Sequence, residues 1–337
     1  MIEKNAAVPK SRIAWIDIAK AIAIFAMIEG HVVAYGGYAR NLIYSFHMPL
    51  FFILTGFTIK EVTDFREFLA AVKKDFCRIM LPCIGTQAIN GLLSYWIYDE
   101  AAMDSLRLRA EQFFWGSAID VYGHSCLGMI WFLVALFWTK VLYYLVRLLF
   151  RNKCSGAVFL FLAMVGKLLS VYERYLPQSW DIVCVAVLFV YIGHVFRKIY
   201  PYFEKYQLPV TAAAFLVWMA CWEKGIFLEL GGHWYPDFAP GILEAICGCI
   251  CVFTLSGALE GCKPLAFVLQ KVGRHTLLIL CLSHIDWLTI SIWGYKPVWL
   301  TLILRPGLVL AGTFVITMAG AMMKKLLRAA EERRLHT

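Results

Sequence analysis

Charge is scarce in this chain: Asp, Glu, Lys and Arg together make up 16% of its 337 residues, against 61% apolar. So little polar surface cannot clothe a soluble core of this size, which leaves apolar surface to face lipid. Also lacking are an internal repeat, a low-complexity run and any Pro-rich or Ser-rich linker, so residues 1–337 read as a single domain. The apolar runs lack the strict alternation of a membrane β-strand, which excludes a barrel in favour of helices. A cleavable signal sequence is not expected either. The first ten residues are polar and basic, but the apolar run after them carries Asp17, Lys20 and His31, which a cleaved hydrophobic region does not tolerate.

What is present is a series of apolar segments, each about long enough to cross a ~30 Å hydrocarbon layer at ~1.5 Å per residue. They predict an all-α, polytopic membrane protein of about ten transmembrane helices, at 13–36, 42–59, 77–98, 126–146, 155–172, 180–196, 208–228, 239–259, 275–293 and 297–322. The fifth and sixth are the weakest, because Lys167 interrupts one and the other is short. The net charge of +9 does not point to nucleic acid, because the basic residues sort by loop. With the N-terminus cytoplasmic, 22 of the 32 Lys and Arg residues fall on the inner side and seven on the outer, which predicts both termini in the cytoplasm and an even helix count. Lys140 and His194 lie near span ends, where such side chains reach for the interface. The stretch 99–125 reads either as an amphipathic helix on the outer surface or as a solvated loop.

Eleven cysteines suggest a metal or disulfide framework until they are placed. Most lie in apolar spans, and Cys247, Cys249 and Cys251 point about 200° apart in succession on a helix, so they do not close around one ion. No metal is expected.

Ionisable groups inside hydrocarbon are costly and mark function. On the first helix Asp17, Lys20 and His31 fall within an arc of about 60°. Asp17 and Lys20 read as an ion pair or as functional groups, and His31 as a general base or a satisfied structural histidine. Glu29 projects elsewhere. In the second span, Ser45-Phe46-His47-Met48-Pro49 places a histidine beside a proline that frees the carbonyl of Ser45, a pattern suited to lining a cavity. The short connection between the spans predicts His31 and His47 close together on the outer side. Trp131, Glu244, His284 and Arg305 are further intramembrane candidates, and a buried Arg305 must meet a carboxylate, a phosphate or carbonyls.

The blocks Ile16-Asp17-Ile18-Ala19-Lys20, Gly30-His31, Phe46-His47-Met48-Pro49-Leu50-Phe51-Phe52 with Gly56, Arg78-Ile79-Met80-Leu81-Pro82, Ile130-Trp131-Phe132-Leu133 and Gly273 through His284 resemble the acyltransferase 3 family of integral membrane acyltransferases. The likeness is to its fucose 4-O-acetylase and polysaccharide O-acetyltransferase branch. The resemblance implies a multi-pass plasma-membrane enzyme moving an acetyl or other short acyl group from acyl-CoA to a carbohydrate hydroxyl. It implies that His31 is the essential catalytic residue and that Arg78 matches a donor-binding arginine. Beside it, the residues themselves suggest His31 as base with Asp17 in support, and His47, Trp131, His284, Arg305 and Glu244 toward the substrate. Lys74 and Arg78 would bind the acetyl-CoA co-substrate. The partners implied are acyl-CoA, a carbohydrate acceptor and the bilayer, with no nucleic acid and with homodimerisation open. Arg12 lies 19 residues before His31, a spacing unlike other branches, and those residues span about 28 Å of helix. Either the donor's pantetheine arm threads a tunnel to reach His31, the favoured reading, or the first helix is tilted so that its far end lies deeper. A transporter or flippase with buried charges is the rival reading, and a structural or sensor subunit a third.

Overall fold

A computed structural model describes residues 13–32, 37–98, 101–150, 154–286 and 297–335, and among them there is no β-strand. The elements, in chain order, are α1 (Ala14–Gly30), α2 (Tyr38–Thr58), α3 (Phe65–Asp75), α4 (Leu81–Tyr98), α5 (Ala102–Trp115), α6 (Trp131–Phe150) and α7 (Ser155–Val171). They continue with α8 (Trp180–Lys205), α9 (Gln207–Glu223), α10 (Phe238–Glu260), α11 (Lys263–Arg274), α12 (Thr276–Asp286) and α13 (Val298–Leu335). Each of the ten expected spans contains helix, although 33–36 of the first and 287–293 of the ninth lie outside the described residues. Among the described residues five helical stretches are long and apolar enough to cross a membrane, and the α11–α12 pair, bent by 68°, would make a sixth. Side chains on the outward faces suit that setting: Leu208 is 80% exposed and Leu216 69%, exposure that only lipid makes inexpensive.

Glycine sets the closest helix crossings. A Cβ placed on Gly56 would fall 1.8 Å from the Val190 carbonyl oxygen, and one on Gly193 1.9 Å from that of Ile53, so α2 and α8 meet backbone to backbone. Between helices in lipid no hydrophobic force favours association, and such contact through small residues supplies it. Gly273 does the same for α11 on α1, its missing Cβ falling 1.7 Å from the Asp17 carbonyl oxygen. Nearby, Trp15 gathers Phe57, Tyr200 and Phe253 at ring-centroid distances of 5.3 to 5.6 Å, tying α1 to α2, α8 and α10.

The segment 60–80 is more ordered than a loop. Asp64 caps α3 by accepting from the Glu67 backbone N–H at 2.7 Å, and Glu67 accepts in return from the Thr63 N–H at 2.9 Å. A π-helical turn, Phe76–Met80, then leads into α4. Lys140 and His194 depart from expectation. The Lys140 ammonium donates to Asp75 at 2.6 Å, and His194, buried, lies 3.5 Å from Glu61, so each turns to a carboxylate of the chain instead of to the interface. Within the 99–125 stretch, of which 99–100 lie outside the described residues, the helical reading holds for Ala102–Trp115. Its helix α5 packs along α4, Ser105 donating to the Gly91 carbonyl at 3.1 Å and Gln87 to Gln112 at 2.8 Å, because its polar face finds partners on α4.

Candidate active site

One cavity of about 410 Å³ lies between α1, α2, α6 and α12, capped by the segments around 118–129 and 229–232. Lys20 lines it at one end and His31 at the other, with Ile24 and Met27 between them. Eleven residues of helix separate those ends by about 16 Å. The periodicity that put Lys20 and His31 on one face of α1 therefore describes a wall of the cavity.

His47 lines the same space. It is held by α2, whose face presents Arg40, Tyr44 and His47 at helical spacing. The Tyr44 ring lies 6.4 Å from that of His31 and 4.8 Å, edge on, from that of His47, so the two histidines flank one tyrosine. Beside Pro49, the Cys249 thiol of α10 donates to the Phe46 carbonyl at 3.8 Å, and Trp218 of α9 donates to the Ser45 hydroxyl at 2.9 Å.

The His47 ring has a defined polarity. Its Nδ1 sits 2.8 Å from the Ile43 carbonyl oxygen, which can only accept, so Nδ1 carries the proton. Neutral His47 then offers Nε2 as an acceptor. That suits taking a hydrogen bond from a hydroxyl and does not suit donating to an oxyanion, which would require a second proton on the ring.

Trp131 forms part of the wall and is backed by the 229–232 turn: a Cβ on Gly231 would stand 3.2 Å from the indole, so the glycine lets the chain close over the ring. Asp17 is buried just below the cavity and does not line it. Its partner is Arg274 of α11, at 3.4 Å, which makes it part of the α1–α11 crossing. His284 stands behind Gly128, whose Cβ would lie 3.2 Å from its Nδ1. Its Nε2 is 2.9 Å from Asn90 and 3.3 Å from Gln87. Arg305 is buried and donates to Asp286 at 2.7 Å, the carboxylate its burial demanded. Glu244 is buried on α10 and lines no part of the cavity. Lys74 and Arg78 are exposed on α3 and the π-helical turn, outside the cavity wall. Arg12 lies outside the described residues.

Two charged lining residues, Arg40 and Glu229, escaped the sequence reading of the site. Arg40 counted there only as an outer-loop cation, although its spacing to Tyr44 and His47 puts all three on one face. Glu229 comes from the α9–α10 connection, 189 residues from the Arg40 it meets, and no local pattern announces it. Among the described residues no group of three His, Cys, Asp or Glu side chains is arranged to hold a metal ion.

Comparisons with curated proteins and with solved structures find nothing similar to the chain. A family model described as an acyltransferase domain matches residues 13–323, nearly the whole sequence, and the chain therefore belongs to the acyltransferase 3 family of membrane acyltransferases.

Proposed function

We propose that the chain spans the plasma membrane ten times with both termini cytoplasmic. In this reading it transfers an acetyl or other short acyl group from acyl-CoA to a hydroxyl of a cell-surface or lipid-linked carbohydrate. The observation that carries the proposal is the single cavity running along α1 from Lys20 to His31 and containing His47. It supports the tunnel that a cytoplasmic donor requires, since a pantetheine arm can extend along about 16 Å of helix.

The acyl thioester is already activated, so the protein has to deprotonate and position the acceptor. His31 takes the proton of the acceptor hydroxyl as its oxygen attacks the thioester carbonyl. The tetrahedral intermediate collapses with cleavage of the C–S bond, and the proton passes to the departing sulfur, giving an ester and free CoA thiol. His47 accepts a hydrogen bond from the acceptor through Nε2, and Trp131 offers its face to a sugar ring. Lys20 lies beside the incoming arm. Lys74 and Arg78, exposed on the inner side in this topology, attract the polyanionic donor to that surface. Asp17, His284 and Arg305 act through the packing of the wall, and for Glu244 the geometry gives no substrate contact.

The test is mass spectrometry of surface glycans and their lipid-linked precursors in a deletion strain, complemented with wild type or His31→Ala at matched protein levels. Wild type alone should restore a mass increment of one acyl group. Identical glycans in all strains would end the transferase reading and favour transport.

A further inference from the structure

The outer end of the cavity carries a charge pair that base chemistry at His31 does not need. Arg40 and Glu229 both line it, 7% and 9% exposed. Arg40 Nη2 stands 3.4 Å from Glu229 Oε1, at the long limit of a hydrogen bond, and its guanidinium lies 3.8 Å from the centre of the Tyr44 ring. Taking the Glu229 carboxylate out of water is costly, and a contact at 3.4 Å returns little of it. Yet Glu229 is firmly set, because its backbone pairs with Trp234 in both directions, at 2.9 and 3.1 Å. The turn so formed brings Gly231 and Gly232 to the cavity wall, with Gly232 beside the Glu229 carboxylate. A Cβ there would lie 3.5 Å from Oε2.

We infer that the Arg40–Glu229 pair is the acceptor-recognition element, selecting an uncharged sugar that presents two adjacent hydroxyls. This rests on the carbohydrate-acyltransfer reading above. One hydroxyl donates to the Glu229 carboxylate and the oxygen of its neighbour accepts from Arg40, so the diol bridges a pair already held slightly apart. A third hydroxyl is then presented toward His31 and His47, which flank Tyr44 beneath the guanidinium. The two charges cancel, so a neutral sugar completes the site, while a sugar carboxylate would bring a second anion against a buried one and be rejected. A sugar missing either bridging hydroxyl forgoes a charge-assisted hydrogen bond in a buried site, where polar discrimination is strong.

The experiment uses the full-length protein in nanodiscs with acetyl-CoA and four acceptor probes: methyl glycosides of a neutral hexose, of its two single-deoxy analogues at the bridging positions, and of the matching hexuronic acid. Wild type should acylate the neutral hexoside, lose about tenfold or more in acceptor kcat/KM with either deoxy analogue, and leave the uronic acid untouched. Glu229→Gln should raise the acceptor KM about tenfold at unchanged acetyl-CoA KM and admit the uronic acid. The double variant Arg40→Gln with Glu229→Gln should exclude it again. An unchanged acceptor KM in Glu229→Gln, or equal use of neutral and acidic sugars by wild type, overturns the assignment. Transfer that survives in His31→Ala overturns the base while leaving acceptor selection to be read from the same panel. No transfer to any glycoside by wild type removes the carbohydrate reading and this inference together.

Discussion

His31 and His47 share one cavity but differ in what their rings already do. The Ile43 carbonyl fixes the proton of His47 on Nδ1, whereas His31 ends α1 at the cavity margin. If His31 is the base, His31→Ala should lower transfer by about two to four orders of magnitude with the thermal midpoint little changed, read by activity and melting on one preparation. Glu229 supplies a pH limb. Burial raises its carboxyl above the ordinary 4.5, with Arg40 opposing the rise and Tyr235 also close enough to interact. The fold thus favours the protonated form, so the group's contribution to stability is complete below 4.5 and fades as pH rises through the raised value. Acceptor binding needs the anion and has the opposite sign: acceptor KM should climb on acidification from a pH above 4.5, and Glu229→Gln should abolish that limb. Both histidines were legible because an ionisable group in an apolar run has to be accounted for. Glu229 was not, because a glutamate in a connecting segment is ordinary until the chain folds it against Arg40.

At the scale of the element, glycine decides which helices can approach. Gly56 and Gly273 stood within the sequence blocks that carry the family resemblance, yet the reciprocal Gly193 lies outside them, beside His194. Gly193→Ala should force α2 from α8 and cost about 1–3 kcal/mol or more, seen as a lower melting midpoint in detergent, because the atom it meets is the Ile53 carbonyl and not a side chain able to move. Gly85, with nothing near its missing Cβ, is the matched control, and Gly85→Ala should be nearly silent. Helix α5 was harder to read. Its apolar and charged residues fit a surface helix equally well, and only the partners Ser94, Gly91 and Gln87 on α4 reveal where its polar face goes.

At the scale of the whole molecule, the asymmetry of basic residues argues for an orientation. Reporter fusions at the C-terminus should be active only in their cytoplasmic form, and a fusion in the 224–238 connection only in its extracytoplasmic form. The reverse pattern would turn the cavity's His31 end toward the donor pool and remove the need for a tunnel. The sequence by itself determined that this chain is helical, that it belongs in lipid, and that Lys20 and His31 share a face. Composition and helical period are local quantities, and hydrocarbon tolerates few ways of satisfying them. Only the tertiary structure decided that Asp17 meets Arg274, that Arg305 meets Asp286, and that Glu229 closes on Arg40 above the histidines. Such pairs depend on which helices pack together, and that choice turns on backbone contacts at single glycines far apart in the chain.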